Sequence, residues 1–196
     1  MIYLDNKPVD VTTFPDNTSQ VWKLSKEFFN KPFVEVKWEY SHEGEFLQIA
    51  QLKMLLDMNC IHSALIVPYL PYGRQDKVVD NESTFALIPF AKLLNSLDFV
   101  YVSSYDAHSS VANKYIKNFV NINPQSEIDK VKKLVDADHI CYPDKGACER
   151  FDRLNEQDFL FGDKVRNQLT GKIEGYELAA WDRDWETSFL TLSISD

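Results

Sequence analysis

Val67-Pro68-Tyr69-Leu70-Pro71-Tyr72-Gly73-Arg74-Gln75-Asp76-Lys77 is the stretch on which the reading of this chain turns. Ala64-Leu65-Ile66-Val67 is an unbroken apolar run, the pattern of a short buried strand. Two prolines and a glycine then stop the ladder and turn the chain. Arg74, Gln75, Asp76 and Lys77 follow at once: a guanidinium fork, an amide, a carboxylate and an ammonium. Such groups at the end of a buried strand suit a phosphate or a base. A solvated loop with surface ion pairs has the same composition, and spacing alone favours that plainer reading.

Working outward from this strand, the pattern alternates between two periods. Upstream, Met1 to Thr13 alternates around Asn6-Lys7-Pro8, which predicts a small hairpin or paired edge strands. A turn-rich loop, Phe14 to Gln20, leads to a short strand expected over Val21 to Leu24. Phe33 to Tyr40 alternates with Val34, Val36, Trp38 and Tyr40 on one face, a half-buried strand. Glu45 to Asn59 spaces Phe46, Ile49, Leu52, Leu55 and Leu56 helically. Downstream, a helix is expected from Thr84, as its cap, to Leu97, with Pro89 tolerable only in the first turn. Strands follow at Phe99–Val102, Phe119–Ile122, His139–Tyr142 and Phe159–Phe161, with helices at Ser110–Asn118, Ser126–Val135 and Cys148–Leu154. Strands alternating with helices imply right-handed crossovers and a largely parallel sheet.

Composition excludes some classes of function. The 196 residues are 44% hydrophobic and 26% charged, ordinary for a globular chain. A net charge of −9 argues against a binder of duplex nucleic acid, and none is expected as a partner. A local basic pocket on an acidic protein remains compatible with a nucleotide. No apolar run approaches the ~20 residues of a membrane span, so no membrane partner is expected. The N-terminus shows no signal-peptide pattern, and Cys60, Cys141 and Cys148 form no even framework. A reducing cytoplasm is the simplest location.

In open α/β sheets ligands bind beyond the carboxyl ends of strands. Polar clusters recur at such ends: Arg74 to Lys77, Asp106-Ala107-His108, Asp144-Lys145-Gly146 and Lys164-Val165-Arg166. Their recurrence carries more than any one of them. Asp106 and His108 form a carboxylate–imidazole pair suited to Mg²⁺ and nucleotide phosphates, or an ordinary turn. Asp144-Lys145-Gly146 ahead of a helix offers backbone N–H groups to an anion, or is a plain capped turn. Lys164 and Arg166 are surface cations, or mobile ones that neutralise a transferring phosphoryl group. Phe14 is a core residue or a stacking surface for a base.

These residues resemble a known family. Pro71-Tyr72-Gly73-Arg74-Gln75-Asp76-Lys77 looks like the Pro-Tyr-Ala-Arg-Gln-Asp-Lys/Arg signature of ribose-phosphate pyrophosphokinases. Asp106-Ala107-His108-Ser109 is similar to their Asp-Leu-His motif, and Tyr142 to Ala147 to their Ser-Pro-Asp-x-Gly-Gly. Lys164-x-Arg166 stands where the family has its flexible-loop Lys-x-Arg, and Phe14 to Thr18 where it has its adenine loop. The resemblance implies a phosphoribosyltransferase-like parallel-sheet α/β domain over residues 1–140, the ATP-binding part. An incomplete second domain of the same type is implied over 141–196.

The implied activity is Mg²⁺-dependent transfer of pyrophosphate from ATP to ribose 5-phosphate. By resemblance Phe14 and Asp16 bind adenine, and Arg74, Gln75, Asp76 and Lys77 bind ATP. His108 and Asp144 hold Mg²⁺, and Lys164 and Arg166 are catalytic. A homo-oligomer, or an assembly with a full-length homologue, is implied as well. The departures are Thr18 for glutamate, Gly73 for alanine and Ala107 for leucine. No Asp-Asp-x-x-x-x-Gly-Gly-Thr, the ribose-phosphate loop of the family, follows Leu178; the sequence instead reads Ala179 to Asp196. The reading is therefore of a chain truncated or divergent at its C-terminus, with a non-catalytic nucleotide-binding subunit as the alternative.

Overall fold

The computed structural model describes residues 1–78, 80, 82–135, 139–142, 147, 159–166, 173–180 and 191–193. Beyond residue 135, side-chain surroundings are described only at Cys141, Tyr142, Gly162, Ala147 and Gly175. The chain divides into two compact units, Met1–Asn123 and Pro124–Asp196.

The first unit is built on a six-stranded sheet. Strands β1 (Ile2–Leu4) and β2 (Lys7–Pro8) form the expected N-terminal hairpin. Its turn places Asp5 and Asn6 at φ 46° and 64°, the left-handed pair that a two-residue hairpin turn needs. Strands β5 (Phe33–Trp38), β6 (His62–Ile66), β7 (Val102–Tyr105) and β8 (Phe119–Ile122) run parallel, in the order β2-β1-β5-β6-β7-β8. β1 joins β5 antiparallel, so the sheet is mixed at one edge and parallel elsewhere.

Each parallel step moves in one direction, so right-handed crossovers place helices α1 (Glu45–Met58) and α2 (Leu87–Ser96) on one face. Ile49, Leu52 and Leu56 of α1 share one core with Val34, Val36, Trp38, Leu65 and Leu94. Burying a side chain of this size contributes ~2 kcal/mol. Pro89 falls in the first turn of α2, where its missing N–H costs nothing. A separate hairpin, β3 (Val11–Thr13) with β4 (Ser19–Val21), packs against α1.

Several boundaries differ from the sequence reading. β4 lies over Ser19–Val21, not Val21–Leu24, because register with Val11–Thr13 decides the pairing. β7 lies over Val102–Tyr105, not Phe99–Val102. Ser103 and Ser104 are buried, and their hydroxyls hide the strand from a hydrophobic pattern. Thr84 does not cap α2, whose N-cap is Ala86 with no side-chain hydrogen bond. Helix α3 is a single turn, Ala112–Tyr115, and a one-turn 3-10 helix covers Lys26–Phe28.

The second unit contains α4 (Gln125–Val135), whose buried residue is Ile128, and a four-stranded sheet. Its strands are β9 (His139–Tyr142), β10 (Phe159–Arg166), β11 (Ile173–Ala180) and β12 (Thr191–Ser193), in the order β11-β10-β9-β12. β9 is parallel to both neighbours, and β11 returns antiparallel on β10. Strand β10 is longer than the Phe159–Phe161 expected, since it continues through Arg166. The helix expected over Cys148–Leu154 lies outside the described residues. Burial raises the Cys141 thiol pKa.

Candidate nucleotide site

Two loops leave the carboxyl ends of neighbouring parallel strands and meet. Leu65 and Ile66 of β6 stand opposite Val102 and Ser103 of β7. The pairing continues past the last residue of β6. The Val67 N–H donates to the Ser103 carbonyl at 2.7 Å, and the Tyr105 N–H donates to the Pro68 carbonyl at 3.3 Å. Both chains are thereby delivered to the same edge of the sheet. There the Ser109 hydroxyl donates a hydrogen bond to the Asp76 carboxylate. This bond joins the Arg74–Lys77 loop to the Asp106–Ser109 loop.

Each loop is braced from behind. The Gln75 carbonyl accepts from the Leu87 N–H at 3.2 Å, fixing the first loop to the start of α2. A Cβ on Gly73 would lie 3.1 Å from the Leu70 carbonyl oxygen, so the turn fits glycine closely. Tyr72 takes φ 62°, a left-handed conformation uncommon for a bulky residue. Its hydroxyl donates to the Glu43 carboxylate; that bond, with burial second, pushes the phenol pKa up to about 12. In the second loop Asp106 takes φ 43°, and its N–H donates to the Ile122 carbonyl at 2.9 Å. The Ala107 N–H donates to Asn121 Oδ1 at 2.9 Å, and Ser109 Oγ accepts from the Val111 N–H at 3.2 Å. Left-handed non-glycine residues in both loops are the kind of local strain that collects at binding sites.

Arg74, Gln75, Lys77 and His108 are exposed at this edge, and Asp76 and Asp106 are half-buried. The arrangement offers cations and an amide on one side, and a carboxylate–imidazole pair on the other. That donor set suits a polyphosphate carrying a divalent cation. Among the described residues no three His, Cys, Asp or Glu side chains form a group able to hold a metal alone. Asp106 and His108 nevertheless fit Mg²⁺, which takes one or two protein ligands and completes its shell with phosphate and water.

Other expected residues lie elsewhere. Phe14 and Asp16 sit in the β3–β4 turn. There Asp16 Oδ1 accepts from the Thr18 hydroxyl at 2.7 Å and the Thr18 N–H at 3.0 Å, which lowers its pKa. Phe14 is exposed and lines a cavity of about 420 Å³ with Met54, Leu55 and Met58, in the last turns of α1. α1 runs against the strands, so these turns lie at the amino edge of the sheet. The Arg74 and His108 loops lie at the carboxyl edge, at least the length of β6 away, about 13 Å at ~3.3 Å per residue. One copy of the first unit therefore does not bring Phe14 to them.

Lys164 and Arg166 lie within β10, not in a loop beyond a strand. Lys164 stands opposite Tyr176, and the register shifts between Val165 and Arg166. Asp144 lies outside the described residues. Sequence reasoning missed the part played by Ser109, Asn121 and Glu43; their polar contacts leave no trace in a periodicity.

Fold and loops together define an α/β protein with a phosphoribosyltransferase-like parallel sheet and a candidate phosphate site at its carboxyl edge. Comparison with known proteins agrees in fold. The chain is 28% identical over 174 residues to the ribose-phosphate pyrophosphokinase of Sulfurisphaera tokodaii, covering 84% of this chain and 59% of that protein. It is 22% identical over 171 residues to the enzyme of that name from Saccharolobus solfataricus, with the same coverage. It is 28% identical over 153 residues to that from Pyrococcus abyssi, covering 76% of this chain and 52% of that protein. The chain thus spans about 59% of the length of the first two of these relatives. In fold it is similar to the phosphoribosylpyrophosphate synthetase of Mycobacterium smegmatis. The TM-score is 0.66 at 17% identity, covering 87% of this chain and 57% of that one. No family model matches. The chain is thus similar in sequence to proteins named ribose-phosphate pyrophosphokinase and in fold to a phosphoribosylpyrophosphate synthetase.

Proposed function

We propose that the chain serves the ribose-phosphate diphosphokinase reaction. The pyrophosphoryl group of ATP passes to the anomeric hydroxyl of ribose 5-phosphate, giving phosphoribosyl diphosphate and AMP. The observation that carries this reading is the Asp76–Ser109 bond, which holds two family-like motifs at one sheet edge.

Arg74, Gln75 and Lys77 bind the ATP phosphates, and Asp76 positions their loop through Ser109. His108, with Asp106 beside it, would hold Mg²⁺, which neutralises phosphate charge when bound; Asp144, the other ligand the resemblance implies, lies outside the described residues. The sugar hydroxyl attacks the β-phosphorus and loses its proton. The bond from that phosphorus to the α,β-bridging oxygen breaks, and AMP leaves. Lys164 and Arg166 are the residues that the resemblance implies for offsetting the developing charge. Such chemistry rests on positioning and charge neutralisation, so no strong base is required.

Phe14 and Asp16 would reach this ATP only from a second copy, which supports the expected homo-oligomer. Residues 1–140 are the proposed ATP-binding part, and 141–196 belong to a proposed second domain of the same type. Among the described residues no helix is long and apolar enough to cross a membrane, and the cytoplasm is the proposed location.

A second reading is kept as the alternative: a non-catalytic nucleotide-binding subunit that assembles with a full-length homologue. AMP release from Mg-ATP and ribose 5-phosphate tests the first reading, and a folded chain that releases none overturns it. Calorimetry separates the two readings, since under the second Mg-ATP binds and ribose 5-phosphate does not.

A further inference from the structure

A second cavity, of about 710 Å³, opens between edge strand β2 and the one-turn helix Lys26–Phe28. None of its walls comes from the Arg74 or His108 loops. Its floor is apolar, from the buried side chains of Leu4, Leu24, Phe28 and Leu52. At its rim stand Lys23 and Lys26, both exposed and without an ion pair among the described residues. A third rim lysine, Lys7, is paired with Glu27, and Asp10 is the one acidic side chain in the lining. Cationic walls are notable on a chain of net charge −9. Trp22, 65% exposed, presents an aromatic face to the same space.

We propose that this cavity binds a planar aromatic anion, its rings against Trp22 and the Leu24–Phe28–Leu52 floor and its charged group at Lys23 and Lys26. The volume suits a small organic ligand. An apolar floor rewards burial of a ring system, and an indole face adds stacking. Two ammonium groups lacking carboxylate partners favour a carboxylate, phosphate or sulfonate at the mouth, and disfavour a neutral ring by comparison.

The test titrates the full 196-residue chain with 8-anilinonaphthalene-1-sulfonate, whose fluorescence rises when its rings leave water. Saturable binding is expected. The uncharged N-phenyl-1-naphthylamine, the same ring system without sulfonate, is expected to bind at least tenfold more weakly. Lys23→Glu with Lys26→Glu should weaken the sulfonate at least tenfold, and Trp22→Ala should weaken both probes. Arg74→Ala, which removes a cation from the strand-end loops, should leave sulfonate binding unchanged. Equal binding of the two probes, or no effect of the lysine reversals, overturns the proposal. Loss of binding in Arg74→Ala also overturns it, by placing the anion at the other site. Both lysines are exposed, and melting curves establish that the double variant folds.

Discussion

Ser109 holds two hydrogen bonds through one hydroxyl: it donates to Asp76 and accepts from the Val111 N–H. Its removal leaves a half-buried carboxylate without that donor. Ser109→Ala should cost ~1 kcal/mol of stability and weaken Mg-ATP binding about tenfold, while Ser109→Thr keeps the hydroxyl and most of the affinity. Calorimetry checks both. If Ser109→Ala binds as the parent does, the two loops do not act together.

Glu45 is the other residue with a large electrostatic stake. Its side chain is 6% exposed. Burial pushes its carboxyl pKa up. Hydrogen bonds from the Met1 ammonium, Trp38 Nε1, and the Ser41 N–H and hydroxyl outweigh that, and bring it down to about 2. A folded pKa below the unfolded 4.5 gives stability that is present above pH 4.5 and lost as the pH falls toward 2. Glu45→Gln should remove about 3 kcal/mol near neutrality. It should also flatten the stability profile between pH 5 and 2, measured by urea unfolding across that range.

At the scale of elements, the central strands carry an imperfection. Ser63 and Ser103 are buried, and among the described residues their hydroxyls have no hydrogen-bond partner. Ser63→Ala and Ser103→Ala should leave stability unchanged or raise it by ~1 kcal/mol, because an unsatisfied hydroxyl is removed. Leu65→Ala in the same strand should cost ~3 kcal/mol through the cavity it leaves. Thermal melts of the three variants decide.

The same residues explain what the sequence could reveal. α1 and β5 were legible because their apolar spacing matches one period over most of their length. β7 was misplaced because Phe99 to Val102 is more apolar than the buried serines that pair. The loops at Arg74 and Asp106 were legible as polar clusters at strand ends, yet the Asp76–Ser109 contact needed the register of β6 against β7. Phe14 read as a partner of Arg74 because linear order says nothing of which sheet edge a hairpin reaches.

For the whole molecule, the placement of Phe14 makes a sharp demand. If its ring serves the nucleotide held by Arg74, the two residues act across different copies. Phe14→Ala and Arg74→Ala chains should each be inactive in AMP release, and mixing them should restore about a quarter of the parental rate when copies pair at random. Absence of rescue, with mixed assemblies shown by mass, would remove Phe14 from the site.

The pairing of β9 with β12 also governs the order of folding events. His139 lies opposite Thr191, so one side of β9 stays open until a distant segment arrives. The first unit gathers its parallel strands through successive neighbours, while the second must close a long loop before its sheet is complete. Its assembly should be the slower kinetic phase, and the interval before closure the period in which an unpaired strand edge meets other chains.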